Sequence, residues 1–193
     1  MADLCYDGSM MDLLAQAKGW QQEADDLLAE SRLRSVLSPI GEVHYTGSYD
    51  YGVLLGADID IYVFVPGDKA KESARTALDV LIEQNYWNGY LYYDFAAHPS
   101  VYHPGFPESY YVGVKGDYRG HRWKIDIWFG PREVLSKGND WIKDSMTDDA
   151  RQVILTLKQA RNDGQLHAES HEMYTAILKH GVKDVDSFRA WRG

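Results

Sequence analysis

The densest chemistry in this 193-residue chain lies in Asp58-Ile-Asp-Ile-Tyr-Val-Phe-Val65. In an extended strand, alternation puts Asp58, Asp60 and Tyr62 on one face and Ile59, Ile61, Val63 and Val65 on the other. Two carboxylates side by side are costly unless a cation or a basic group sits between them, and short oxygen ligands of this kind suit hard cations such as Mg²⁺. A second run, Arg122 to Phe129, repeats the pattern, with Arg122, Lys124 and Asp126 on one face and Trp123, Ile125, Ile127 and Phe129 on the other. If the two runs are neighbours, three carboxylates converge. That is enough to hold two divalent ions roughly 3.5–4 Å apart for phosphoryl or nucleotidyl transfer, with Arg122 and Lys124 bordering the cluster and contacting phosphates. Upstream, Gly47-Ser48 falls between a strand and a short helical turn. Backbone N–H groups there and the Ser48 hydroxyl make a cradle for phosphate oxygens, and Gly47 permits close approach.

The elements around these residues follow from periodicity. Ser9 and Asp12 read as a capping box ahead of an apolar stripe (Leu13, Leu14, Ala17, Trp20, Ala24, Leu27, Leu28) that predicts one helix to about Val36. Pro39 forces an exit, Glu42 to Thr46 alternates as a short strand, and Asp58 to Val65, closed by Pro66-Gly67, is the strongest strand signal. Asp68 is placed to cap a helix striped by Ala70, Ala74, Ala77, Leu78, Leu81 and Ile82. Strands are expected over Tyr90 to Ala97, Ser109 to Lys115 and Arg122 to Phe129, with a three-proline surface loop over Pro99 to Pro107 and a turn over Gly116 to Gly120. From Thr147 the pattern becomes helical, with Val153, Ile154, Leu157 and Ala160 on one face and Gly164 as the stop. Ser170 to Lys179 forms another helix with Gly181 as its C-cap, and Phe188 and Trp191 anchor a last short element. The class is α+β: a core over residues 1–145 and a small helical part over 146–193.

Rival readings attach to several residues. Asp94 competes with Asp126 as third acid, although it also reads as a strand-edge carboxylate bonded to a tyrosine. His167 and His171, four apart, form a metal pair or, more simply, a capped and exposed helix start. Lys158 reads as part of a solvated helix face, with reach to a phosphate from the C-terminal part as the alternative. Tyr49, Tyr51 and Tyr62 flank the acids.

Gly47-Ser48, nine intervening residues, then Asp58-Ile-Asp60 with an isolated acid in a later strand resembles the signature of the polymerase-beta-like nucleotidyltransferase superfamily. The stretch from Gly47 to Asp60 also looks like its counterpart in poly(A) polymerases and in small antibiotic nucleotidyltransferases. The resemblance covers residues 43–66 and 122–129. It implies a mixed sheet flanked by helices, and a nucleoside triphosphate donor, ATP first, on two Mg²⁺ ions with Mn²⁺ as the alternative. It further implies Asp58, Asp60 and Asp126 as metal ligands, Asp126 as base, and Gly47 and Ser48 on the triphosphate. Where many small members carry a basic residue after Gly-Ser, this chain has Tyr49-Asp-Tyr51.

Composition bounds the rest. With 45% hydrophobic and 25% charged residues the chain is a well-cored globular one, which excludes disorder and collagen-like structure. A lone Cys5 excludes an internal disulfide framework and a thiolate-rich zinc site. Together with the lack of any apolar run near ~20 residues and of a basic-then-apolar N-terminus, it sets the expectation of a cytoplasmic protein with no membrane partner. Twenty-nine acids against 20 bases, a charge of −9, oppose a long nucleic-acid footprint. The expected acceptor is therefore a small molecule, such as an aminoglycoside-like compound that takes AMP on a hydroxyl, with nucleic acid unlikely. The alternatives are transfer to protein or RNA, a non-catalytic nucleotide-binding module, or a glycosyltransferase using Asp58-x-Asp60. No oligomeric state is legible.

Overall fold

The computed structural model describes residues 8–99, 108–136 and 139–193, and side chains within these from residue 13 onward. The side chains of the capping box read at Ser9 and Asp12, the lone Cys5, and the loop expected over Pro99 to Pro107 from residue 100 onward lie outside them.

Nine helices and five strands are formed by the described residues. The long helix α1 (Gly8–Glu30) is followed by α2 (Leu33–Leu37), β1 (Glu42–Thr46), the single turn α3 (Gly47–Asp50), β2 (Asp58–Phe64) and α4 (Ala70–Glu83). Strands β3 (Gly89–Asp94), β4 (Tyr110–Tyr118) and β5 (His121–Gly130) come next. Five helices end the chain: α5 (Arg132–Leu135), α6 (Asp140–Asp144), α7 (Asp148–Asn162), α8 (Ser170–His180) and α9 (Val185–Arg192). The sheet order is β1-β2-β5-β4-β3. Only β2 and β5 pair in parallel, with Asp60 opposite Asp126 and Asp58 opposite Lys124; the other pairings are antiparallel. The expected α+β mixed sheet flanked by helices is what the chain forms.

One sheet face carries Ile59, Ile61, Val63, Val112, Val114, Ile125, Ile127 and Phe129, and it packs on Ala24, Leu27, Leu33, Leu37, Ala74, Ala77 and Leu81 of α1, α2 and α4. Each fully buried isoleucine contributes roughly 2 kcal/mol. That apolar face offsets what the same two strands lose by holding three carboxylates on the opposite one. A second cluster joins Ala17 of α1, Tyr51, Val53 and Ile142 to α7, α8 and Phe188 of α9. Val53 and Tyr51 follow directly on α3, so this second core fixes the Gly47-Ser48 turn from behind.

Several expectations are corrected in detail. The first helix is not continuous to Val36: Arg32 stands at φ 50 and splits it, the backbone carbonyl of Ser31 accepts from Gln84 Nε2, and the chain turns so that Leu33 and Leu37 both become fully buried. Lys69 rather than Asp68 occupies the N-cap of α4, without a side-chain bond. β3 stops at Asp94 because the Asp94 carboxylate accepts from Ala97 N and turns the chain. Strands β4 and β5 run further toward each other than expected, to a two-residue turn at Arg119 (φ 48) and Gly120 (φ 86), the left-handed pair that matches strand twist. The C-terminal expectations hold: Thr147 Oγ1 caps α7 through Ala150 N, and Gly181 at φ 68 ends α8. No helix among the described residues is long and apolar enough to cross a membrane.

The break at Arg32 is testable. In urea unfolding Arg32→Gly should leave the stability unchanged or raise it by up to about 1 kcal/mol, because a left-handed non-glycine residue is strained. In a continuous helix the same change would lower stability by about 1 kcal/mol.

Candidate active site

Strand register brings the acids together. Asp60 and Asp126 stand side by side on β2 and β5, Asp58 lies one rank away, and all three border a cleft of about 640 Å³. Gly47 closes the other side of Asp60. It sits at φ 66, and a Cβ on it would fall 2.4 Å from Asp60 Oδ2, so only glycine lets the turn press against that carboxylate. Asp126 is held from two sides: the Tyr111 hydroxyl donates to Oδ1 at 2.6 Å, and Lys124 Nζ lies 2.9 Å from Oδ2. Tyr111 reaches there because Gly113, opposite Asp126, leaves the space that its ring and hydroxyl fill. Burial and the Asp126 charge raise the Tyr111 pKa, so it stays a donor.

Lys124 also lies 3.5 Å from Asp58 Oδ1, so its ammonium stands between two of the acids. Burial works against its charge, but the carboxylates of Asp126, Asp58 and Asp60 outweigh that and raise its pKa. Asp60 has no such partner. Among the described residues no donor is bonded to its carboxylate, and burial, then the charges of Asp58 and Asp126, push its pKa up to about 7. Burial raises Asp58 as well, partly countered by Lys124.

Among the described residues no three His, Cys, Asp or Glu side chains are grouped tightly enough to hold a metal ion as they stand. The chemistry of the set nevertheless fits a hard divalent cation. It has oxygen donors only, one of them unpartnered, with an ammonium standing where positive charge is needed.

Ser48 is the second focus. Its Oγ accepts from Lys158 Nζ at 2.6 Å and lies 3.3 Å from the Tyr174 hydroxyl. Lys158 is 3% exposed and also donates to the Val53 carbonyl at 2.9 Å, so it is not on a solvated face. The signal lay in spacing: Lys158 is four residues after Ile154, inside the apolar stripe of α7. It brings to Gly47-Ser48 the positive charge missing from Tyr49-Asp-Tyr51. Burial, then Arg161, lowers its pKa to about 7. Burial raises Tyr174 to about 12.

The other expected residues are placed as follows. Arg122 does not join the acids: it lies at the far end of β5, bonded to Asn88 and, at 2.9 Å, to Asp117. Asp94 is on the edge strand, paired with Lys71 at 2.8 Å, and Asp126 alone stands beside Asp60. Tyr51 and Tyr62 line the cleft, whereas Tyr49 donates to Asp25 on α1. Asp50 pairs with Lys143 of α6 at 2.7 Å and borders a smaller neighbouring cavity rather than the cleft. His171 is exposed and lines the cleft with Ser170, and His167 is exposed outside α8. Sequence periodicity missed the cleft wall of Val134, Leu135, Asn139 and Ile142, since α5 and α6 are single turns too short to show a stripe.

No protein-family model and no curated protein matches the chain. Solved structures do. Cid1, described through its RNA terminal uridylyl transferase activity, superposes with a TM-score of 0.60 at 16% identity, over 84% of this chain and 47% of its own. The polymerase core of TRAMP, an RNA surveillance complex, gives 0.54 at 16%, over 79% and 48%. The non-canonical poly(A) polymerase complex of GLD-2 with GLD-3 gives 0.59 at 13%, over 92% and 59%. The chain spans about half the length of these structures, and its fold is that of polymerase-beta-like nucleotidyltransferases. The same likenesses overturn the expected small-molecule acceptor with nucleic acid unlikely, since these neighbours are an RNA terminal uridylyl transferase, the core of an RNA surveillance complex and a poly(A) polymerase. The expectation rested on a charge of −9 summed over the whole chain, which does not describe the charge at any one site.

Lys158 gives a pH signature. Between about pH 7, its value in the fold, and 10.5, its ordinary value, the unfolded chain binds a proton that the folded chain does not. Stability therefore rises with pH across that window, by up to about 1.4 kcal/mol per unit, and the full penalty is present below it. Urea unfolding at pH 7 and 9.5 should show wild type gaining at least about 1 kcal/mol more than Lys158→Met. Equal gains would mean that Lys158 titrates normally.

Proposed function

We propose that this chain is a metal-dependent nucleotidyltransferase that moves a nucleoside monophosphate from a nucleoside triphosphate, ATP being the first donor to test, onto a terminal hydroxyl of RNA with release of pyrophosphate. The observation that supports it most is the in-register pairing of Asp60 with Asp126, with Gly47 pressed against Asp60. The RNA acceptor rests on the fold neighbours.

In this reading Asp58, Asp60 and Asp126 would hold Mg²⁺, which when bound neutralises the triphosphate and lowers the barrier at the attacked phosphorus. Ser48 and the backbone at Gly47 orient the triphosphate, and Lys158 behind Ser48 gains its full charge as phosphate oxygens approach. Asp126 accepts the proton of the attacking hydroxyl. Tyr111 fixes the rotamer of that carboxylate, so one oxygen faces the cleft. Lys124 neutralises the acids in the free chain. Arg122, tied to Asp117, takes no part in nucleotide binding.

The test is extension of a 5′-labelled oligoadenylate with each nucleoside triphosphate and Mg²⁺, by wild type, Asp60→Asn and Asp126→Asn. Wild type should lengthen the strand and release pyrophosphate. Each variant, with unchanged circular dichroism, should lose on the order of a thousandfold in rate. Wild-type rates in either variant would refute the assignment of the acids, and no extension with any triphosphate would refute the activity.

A further inference from the structure

The donor site leaves Arg122 unused, and its surroundings form a second charged feature on the face that carries the acids. Partnered residues point to the same face, and so do residues two apart along a strand. One rank from Asp60 and Asp126, the direct partners across β2, β5, β4 and β3 are Asp58, Lys124, Lys115 and Gly89. One rank further, Arg122 stands opposite Asp117. Three cations, Lys124, Lys115 and Arg122, thus follow one another from Asp126 toward the far end of β5 and β4.

Gly89 draws two of them together. A Cβ there would lie 3.2 Å from Arg122 Nη2 and 3.2 Å from Lys115 Cβ, so the guanidinium and the lysine stem share the notch that the missing side chain leaves. Arg122 bonds Asn88 and Asp117 through Nη1, and Asp117 also accepts from Asn88 Nδ2 at 2.9 Å. Among the described residues neither Arg122 Nη2 nor the Lys115 ammonium has a hydrogen bond or an ion pair. Two positive groups therefore converge on one notch, and the acid beside them is already bonded twice.

Position decides the ligand. Gly47 and Ser48 stand on the β1 side of the acids, and in-line displacement puts the attacking hydroxyl opposite the leaving pyrophosphate, on the β5–β4 side. There the rank of Trp128 and Tyr111 is filled by rings 4.9 Å apart, with Tyr111 buried. The rank of Lys124 opens to solvent instead: the Lys124 side chain is 40% exposed against 13% for Asp126. A strand whose terminal hydroxyl reaches Asp126 carries its nearest phosphate one sugar away, and a two-residue step along β5, roughly 7 Å, leads from Asp126 to Lys124. The next phosphate falls toward Lys115 and Arg122.

We infer that Lys115 and Arg122, gathered over Gly89, bind backbone phosphates of a single-stranded RNA acceptor close to its terminal hydroxyl. This rests on the RNA-directed reading above and adds to it the path of the acceptor strand. Contacts of this kind position a strand without reading its bases, and they depend on salt. With two phosphates neutralised, log K should fall against log[salt] with a slope of about −1.4.

The test uses the full chain: anisotropy of labelled single-stranded oligoadenylate and oligouridylate without ATP, over a range of salt, and then extension of the oligoadenylate with ATP. Lys115→Gln removes an ammonium that bonds nothing in the fold, so it should fold normally; Arg122→Gln is the second variant. Each should weaken binding of both oligonucleotides about fivefold at low salt. Each should also flatten the salt slope by about 0.7 and raise the KM for the oligonucleotide to match, with the KM for ATP unchanged. Lys115→Arg keeps the charge and should keep wild-type affinity. Unchanged affinity and slope in both Lys115→Gln and Arg122→Gln would overturn the phosphate site, and extension by wild type would leave the proposed activity standing. A wild type with no affinity for either oligonucleotide would overturn it equally. A wild type that binds through these residues but adds no nucleotide would fail the activity and support the site.

Discussion

The molecule depends on the parallel pairing of β2 with β5. Its register sets Asp60 against Asp126 on one face and Ile61 against Ile127 on the other. A slip of one residue would exchange the faces, burying carboxylates among α1, α2 and α4 and exposing isoleucines to water. The apolar side therefore enforces the placement of the acids. Core burial offsets the cost of keeping three acids within reach of each other, with Lys124 moderating their repulsion.

A second constraint ties the Gly47-Ser48 turn to the rest of the chain. α3 is a single turn and could not hold Ser48 in place alone. Tyr51 and Val53, just after it, are buried in the core made by α7, α8 and α9, and Lys158 and Tyr174 reach from those helices to Ser48. The C-terminal helices thus belong to the site as much as the sheet does. Residues more than a hundred positions apart supply one polar cluster.

Legibility followed period length and locality. Asp58, Asp60 and Asp126 were readable because strand alternation is exact over seven or more residues and places like residues on one face. α7 and α8 were readable because they are long enough to show a stripe and end in Thr147 and Gly181. The kink at Arg32 was hidden, since a non-glycine residue at positive φ leaves no mark in the sequence. α5 and α6, which wall the cleft, are single turns. Lys158 was misread as solvated because charge was given more weight than its place in an apolar stripe. Arg122 shares its face with Asp126 but lies two ranks away, a distance that alternation does not report. The acceptor class was misjudged because net charge is a sum over the surface, whereas recognition is local.

In the proposed reading Asp58 and Asp60 build a site where metal and triphosphate bind together. The measurement that tests it most directly is the thermal midpoint of wild type and of the Asp58→Asn, Asp60→Asn double variant with each nucleoside triphosphate, with and without Mg²⁺. Wild type should be stabilised only when both the triphosphate and Mg²⁺ are present, and the variant should not be. No shift with any triphosphate, or the same shift in the variant, would contradict it.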